Sequence, residues 1–457
     1  MRQQTADRRQ QENTTWSGPV IRLLSAVCCL LSFSASAETL TLQQALTRAL
    51  QVNNTIERAR AEVNVVDQSR RQLLSAVMPR ITTSGATTRN SDEVSFGNGN
   101  DARVVLPRND WNYRIVLSQP VYAGRREFRA YSQAKLGVEN AREAERGTED
   151  AVLLRVASNY QAVVDAGQRI EVEKRNMELA ELRRKQSQAF YEAGEVTKVD
   201  VLRAETAIKA SQRLLAIAEQ SRQTAVSTLR QDLDLDGDIE VTPPDRPLPA
   251  LPSQTELEQR AAASRPDVAA ARNNLVIADL EVKKQRGFWL PTVTFDGGWV
   301  NQKSAFPASR YSYGALRFNI PLLQSGEVEA RVAGAKEREK QAQLALEDAQ
   351  TGAREDVRKA LIDLRTADTA LGLAREQLAA AEAEYQQSFE LYRAQEATSL
   401  DVATSETSLA DARRAVAEET LNRDLAALRV WYAAGDLKPA LGIQTADSRQ
   451  QTAGEAK

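Results

Sequence analysis

Carboxylates at regular spacing are the side chains of this chain best placed for chemistry. Asp232-Leu-Asp234-Leu-Asp236-Gly237 has the spacing that opens an EF-hand calcium loop. Position twelve of that loop is Pro243 where a bidentate glutamate is needed, so the segment reads as a solvated acidic helix end. Two other aspartates, Asp200 and Asp401, each follow a threonine by three residues (Thr197 and Thr398). That is the spacing of a helix start, where a carboxylate satisfies free amides and meets the positive end of the helix dipole. Enzyme chemistry finds little else to use. The chain has no histidine, and its two cysteines, Cys28 and Cys29, stand together near the start. A triad, a histidine metal site and a thiolate nucleophile are therefore not expected. No phosphate-binding Gly-x-x-x-x-Gly-Lys loop, Gly-x-Gly-x-x-Gly turn or Gly-x-Ser-x-Gly elbow is present either. With 60 Lys and Arg against 62 Asp and Glu, the net charge of -2 and the lack of a basic stripe argue against a nucleic-acid partner.

The two aspartates belong to a much longer repetition. Phe190-Tyr191-Glu-Ala-Gly194-Glu-Val-Thr197-Lys-Val-Asp200-Val201 returns as Leu391-Tyr392-Arg-Ala-Gln395-Glu-Ala-Thr398-Ser-Leu-Asp401-Val402, at a constant offset of 201 residues. Ser118-Gln119-Pro120-Val121 is echoed by Asn319-Ile320-Pro321-Leu322 at the same offset. Met78-Pro79-Arg80-Ile81 is echoed by Leu290-Pro291-Thr292-Val293, now 212 residues on, which places an insertion of 11 residues between Pro79 and Pro120. Self-similarity of this length marks a tandem duplication of one large unit.

After Pro79 and Pro291 the hydrophobic period changes to two. Trp111-Asn-Tyr113-Arg-Ile115-Val-Leu117, Val293-Thr-Phe295-Asp-Gly297-Gly-Trp299 and Leu316-Arg-Phe318-Asn-Ile320 alternate, and Ile81 to Thr88 is rich in β-branched residues. Alternation predicts strands with one apolar and one wet face, over about residues 80–90, 111–121, 292–303 and 310–321. Trp111, Tyr113, Trp299, Tyr311 and Tyr313 are candidates for interfacial girdles of a membrane barrel. The local pattern equally fits a β-sandwich face with surface aromatics. Four strands cannot close a barrel, and lipid forbids an open edge, so the membrane reading needs several chains to pool strands.

Long proline-free stretches follow each strand pair. Val156, Val163, Ile170, Met177, Arg184 and Tyr191 stand seven apart, as do Val357, Leu364, Leu371, Leu378, Tyr385 and Tyr392. Such spacing predicts helices packed along their length like coiled coils, turning near Ala193-Gly194 and Ala394-Gln395. Residues 1–37 carry Arg8, Arg9 and Arg22, an apolar run from Leu23 to Leu31 and the small cleavage-type triplet Ala35-Ser36-Ala37, the pattern of a secretory signal. Acylation at Cys28 is the weaker alternative, because Val27 is bulky where a small residue is wanted. The expected organisation is a signal (1–37), a first repeat (38–241, helical hairpin 124–232), a Pro-rich linker (242–254), a second repeat (255–437, helical hairpin 326–434) and a polar, disordered tail (438–457).

The duplicated strand-pair and helical-hairpin order, the Leu290-Pro291-Thr292-Val293 and Gln119-Pro120-Val121-Tyr122/Ile320-Pro321-Leu322-Leu323 junctions and the twin Thr-x-x-Asp-Val tips resemble one family, the TolC-like outer membrane factors of Gram-negative bacteria. The resemblance covers about Glu38 to Leu437. It implies a mostly α fold with a β-barrel, in which a homotrimer forms one twelve-stranded outer-membrane barrel and a periplasmic α-helical tunnel. It also implies a passive channel with no cofactor. A periplasmic adaptor and an inner-membrane pump of the RND, ABC or MFS type would deliver substrates at the helical tips. Small-molecule efflux is the favoured cargo class and type I protein secretion the alternative. An adaptor carries a single hairpin, and a coiled-coil scaffold needs no aromatic strand pairs, so both fit less well.

By the same resemblance, Gly194, Thr197, Asp200 and Val201 of the first tip, with Gln395, Thr398, Asp401 and Val402 of the second, are the adaptor-docking and gating loops. The family's aperture network links a tyrosine, an aspartate and an arginine. Tyr392 and Asp200 match the first two, but Ala397 stands at the arginine position. The family's double carboxylate ring reduces to one ring of Asp401, since the second position is Thr404. Simple helix capping is the plainer role for Asp200 and Asp401, and the two roles are compatible.

Overall fold

The computed structural model describes residues 38–443 apart from positions 98, 100–102, 238, 244–247 and 305–307. The expected signal, Cys28 and residues 444–457 of the expected tail lie outside the described residues.

The chain opens with β1 (Glu38–Leu40), then α1 (Leu42–Val52) and α2 (Asn54–Ser75). The two helices are divided at Asn53, whose side chain caps α2 by accepting from the Thr55 amide. The sheet strand β2 (Arg80–Arg89), the short strands β3 (Val94–Phe96) and β4 (Arg103–Leu106), and the long strand β5 (Asn109–Ala123) follow. The antiparallel β3–β4 pair accounts for the insertion in the first repeat. Next come the long helix α3 (Arg126–Glu192), its return α4 (Lys198–Leu233) and β6 (Ile239–Val241). The second repeat supplies α5 (Gln254–Ser264), α6 (Pro266–Arg286), β7 (Thr292–Gln302), β8 (Arg310–Asn319), α7 (Glu327–Arg393), α8 (Ser399–Ala434) and a short α9 (Leu437–Ala440).

The long helices make the duplication quantitative. α3 and α7 both have 67 residues, and α4 and α8 both have 36. At 1.5 Å per residue the longer pair spans about 100 Å. Helix α3 packs on α4, α2, α6 and α8, while α7 packs on α8 and α6, so the two hairpins lie side by side. Each long helix begins at a pair of left-handed residues, Gly124-Arg125 and Ser325-Gly326. A Cβ on Gly124 would lie 2.3 Å from the Gly287 carbonyl oxygen, so the β5–α3 junction and the end of α6 tolerate no side chain where they touch.

The main sheet runs β2-β5-β7-β8, all antiparallel, with β2 and β8 as open edges. Register separates its faces. Ile115 pairs with Trp299, Leu117 with Ile81, Phe295 with Leu316 and Val293 with Phe318, which gathers the apolar set on one face. The other face carries Arg114, Asp296 and Arg317, with Arg317 paired to Asp296 at 2.8 Å and Ser118 donating to the same carboxylate. Tyr311 and Tyr313 pair with Val300 and Gly298, which puts them on this polar face. The expected girdle of five aromatics is thus corrected: Trp111, Tyr113 and Trp299 share the apolar face, while Tyr311 and Tyr313 do not. Parity is the cause, since residues of β8 on the face of Phe318 carry even numbers.

Two buried clusters hold the helical part together at mid-length. One gathers Leu46, Ile56, Leu153, Tyr160 and Leu229. The other joins Leu257 and Val268 to Val357, Leu361 and Val430. The Tyr160 hydroxyl is bonded to the carbonyls of Leu40 and Thr242, beside the parallel β1–β6 pair. That pairing has no signal in the sequence. The first residues of the expected tail are ordered instead, because α9 reaches Ala440 and Leu441 is buried against the first cluster.

Candidate functional site

The two helical tips are built alike from local rules. After α3 the chain turns at Gly194 (φ 80°), where the Glu195 amide bonds to the Phe190 carbonyl and the Gly194 amide to the Tyr191 carbonyl. This is a Schellman closure, which needs a left-handed residue. After α7 the same bonds run from Glu396 to Leu391 and from Gln395 to Tyr392, with Gln395 held at φ 63°. Each return helix opens with a reciprocal cap. The Asp200 carboxylate accepts from the Thr197 amide (3.1 Å) and hydroxyl (2.9 Å), and the Asp401 carboxylate from the Thr398 amide (2.8 Å) and hydroxyl (2.6 Å). Val201 and Val402 are buried behind the caps, whereas Gly194, Thr197, Gln395, Thr398 and Asp401 are exposed.

The tips meet each other across a cleft of about 680 Å³, lined among others by Phe190, Asp200, Tyr392, Ala397 and Ser399. The free oxygen of Asp200 accepts a short bond from the Ser399 hydroxyl of the second tip. That bond, then the cap from Thr197 and the charge of Arg203, hold the Asp200 carboxyl below the ordinary range against the opposing effect of burial. The Thr398 hydroxyl and amide do the same for Asp401. Tyr392 stands edge-on to Phe190 at 5.6 Å between centroids. Burial pushes its phenol upward, with Asp200 adding to the effect and Ser187 opposing it. The hydroxyl forms no hydrogen bond with Asp200. Tyr392 and Asp200 thus line one cleft, while the bond to Asp200 comes from Ser399. Asp401 does not line this cleft.

The strongest ties between the hairpins were not expected from sequence. The Arg183 guanidinium donates to Glu406 at 2.8 Å and to the Ser399 carbonyl at 2.9 Å, and its side chain is only 7% exposed. One turn-cluster higher, Arg414 grips Glu173 with two bonds (2.6 and 3.1 Å), and Arg413 donates to Asn176. A signal existed in the duplication itself. Arg183 and Glu173 have Glu384 and Ala374 as their repeat counterparts, so these positions depart from the repeat.

Among the described residues no group of three or more His, Cys, Asp or Glu side chains could hold a metal. The EF-hand-like Asp232 is consumed by packing, taking Arg155 on one oxygen and Asn159 on the other. No described helix is long and apolar enough to cross a membrane.

The comparisons with known proteins agree with this geometry. The family model described as outer membrane efflux protein matches residues 45–233 and 257–436. The chain is 25% identical over 430 residues to the outer membrane efflux protein BepC of Brucella suis, covering 92% of this chain and 90% of that one. Among solved structures, it superposes on the outer membrane protein VceC of Vibrio cholerae with a TM-score of 0.72 at 16% identity (86% and 96% coverage). It also superposes on the open state of the MtrE outer membrane channel of Neisseria gonorrhoeae with a TM-score of 0.70 at 19% identity (87% and 89% coverage).

Proposed function

Since this chain belongs to the outer membrane efflux protein family, we propose that it is the passive channel-tunnel of a tripartite export system, working as a homotrimer. The family is one of outer-membrane channels and not of enzymes. The observation that carries the trimer is the four-stranded sheet with two open edges and one apolar face, set at the root of two equal helical hairpins. In lipid those edges must be paired, and three copies supply the twelve strands of a closed barrel. The same closure arranges the helices of six hairpins around one tunnel.

Trp111, Tyr113 and Trp299, on the apolar face, meet the lipid, and the face with Asp296 and Arg317 lines the lumen. The tips from Gly194 to Val201 and from Gln395 to Val402 are the gate and the docking surface for a periplasmic adaptor, which couples the tunnel to an inner-membrane pump. Small-molecule efflux is favoured over protein secretion because the relatives carry the description of efflux proteins. Asp401 is exposed, so three copies place a ring of carboxylates at the entrance.

The test is reconstitution of the purified protein in planar bilayers without nucleotide or pump. Discrete ohmic steps are expected, with Asp401→Ala reducing the preference for cations over anions. Absence of steps from folded, inserted protein would sink the channel reading, and unchanged selectivity would sink the ring.

A further inference from the structure

The duplication lets the seam inside the chain report on a seam the single chain does not contain. In a closed ring of six hairpins, the step from the first hairpin to the second is followed by the step from the second to the first hairpin of the next protomer. Each contact between α3 or α4 and the second hairpin therefore has a counterpart 201 residues on, made with the partner subunit. The helices permit this transfer because their lengths match residue for residue.

The transfer changes the chemistry. Asp200 against Ser399 becomes Asp401 against position 198, which is lysine. Arg183 against Glu406 becomes Glu384 against Glu205, and Glu173 against Arg414 becomes Ala374 against Arg213. The seam within the chain is thus bolted by two ion pairs, whereas its counterpart loses both and sets two carboxylates face to face. We infer that the seam between protomers is the weak one, and that its closure at the tunnel mouth rests on an ion pair between Asp401 and the partner subunit's Lys198.

Three features of the tips fit this assignment. Asp401 spends one oxygen on the Thr398 cap, as Asp200 does on Thr197, leaving free the oxygen through which Asp200 takes Ser399. Lys198, Glu205, Glu384 and Asp401 are all exposed in the single chain. The aromatic contact of Phe190 with Tyr392 transfers to Leu391 with the partner subunit's Tyr191, and Tyr191 and Leu391 are 42% and 37% exposed, apolar surface still waiting for a cover. The pair also supplies a closure where Ala397 provides no arginine. It rests on the trimeric-tunnel reading and adds its latch.

The experiment joins Lys198→Cys and Asp401→Cys in the full chain and treats the detergent-extracted protein with a short bis-maleimide. Each single variant controls for Cys28 and Cys29. Covalent dimers and trimers are expected only from the double variant, and covalent dimers alone from a mixture of the two singles assembled together, since each protomer there carries one engineered thiol. In bilayers, Lys198→Glu should raise the open probability and Lys198→Glu/Asp401→Lys should restore it. An exposed pair shifts an equilibrium by up to about fivefold, and three act on one mouth. A light-scattering trimer that gives only uncrosslinked monomers, or a charge swap no better than the single variant, overturns the register. A light-scattering monomer overturns instead the reading on which it rests.

Discussion

Replacing Arg183 by methionine tests the bolt between the hairpins. Its guanidinium lies 2.8 Å from Glu406, with the two side chains only 7% and 13% exposed. At an effective dielectric of about 20, unit charges at that distance attract by about 6 kcal/mol, most of it offset by the cost of taking both out of water. Removing one partner leaves the other desolvated and unpaired, and also frees the Ser399 carbonyl that Arg183 holds at 2.9 Å. The expected loss is about 3–5 kcal/mol. Arg183→Met/Glu406→Met, with no buried charge left over, should recover most of it. The assay is native-state hydrogen exchange in the first turns of α8, beyond Ser399. A loss of about 3 kcal/mol speeds exchange there by about two orders of magnitude if the tip opens as a unit. Exchange within threefold of the parent for the single variant, or a double variant worse than the single, would show that this ion pair does not hold the hairpins together.

Other outcomes follow from local geometry. Gly124→Ala should abolish heat-resistant strand content in detergent, because its Cβ would stand 2.3 Å from the Gly287 carbonyl oxygen at a left-handed φ of 66°. Gln395→Gly should stabilise the second tip by about 1 kcal/mol by removing the left-handed penalty, seen as slower exchange at Glu396, and Gly194→Ala should cost about as much at the first tip. The carboxyls of Asp200 and Asp401 are held below the ordinary range, so the stability they add is complete above about pH 4. It is lost as pH falls through their lowered values. Tip amides should exchange faster below that pH relative to mid-helix amides, with Asp200→Asn largely removing the change at the first tip.

Much of this architecture was legible because it is written twice. The 201-residue echo located both tips, and the two left-handed positions, Gly194 and Gln395, fall at the same place in each copy although only one is glycine. Alternation found the sheet strands, but it could not set the parity of β8. The register that puts Tyr313 over Gly298 is a matter of pairing between strands, not of pattern within one. The β1–β6 pair escaped because three-residue strands carry no period, and its partners are some 200 residues apart. Asn53 divides α1 from α2 by capping, whereas Pro266 starts α6 without any side-chain cap, its ring being tolerated only at a helix start. At the site, Tyr392 and Asp200 were visible through the family resemblance. Ser399, Arg183 and Glu406 were not, because a heptad pattern reports which residues are apolar and is silent on which charged ones cross to a neighbouring helix.

On the trimeric reading, the chain completes its sheet only by joining two further copies of itself. The most direct measurement is the mass of the detergent-extracted protein by light scattering, on material taken from an outer-membrane fraction. A protein mass of three protomers is expected, with strand content that survives heating in detergent. A stable monomer, or protein that leaves the membrane without detergent, would contradict it.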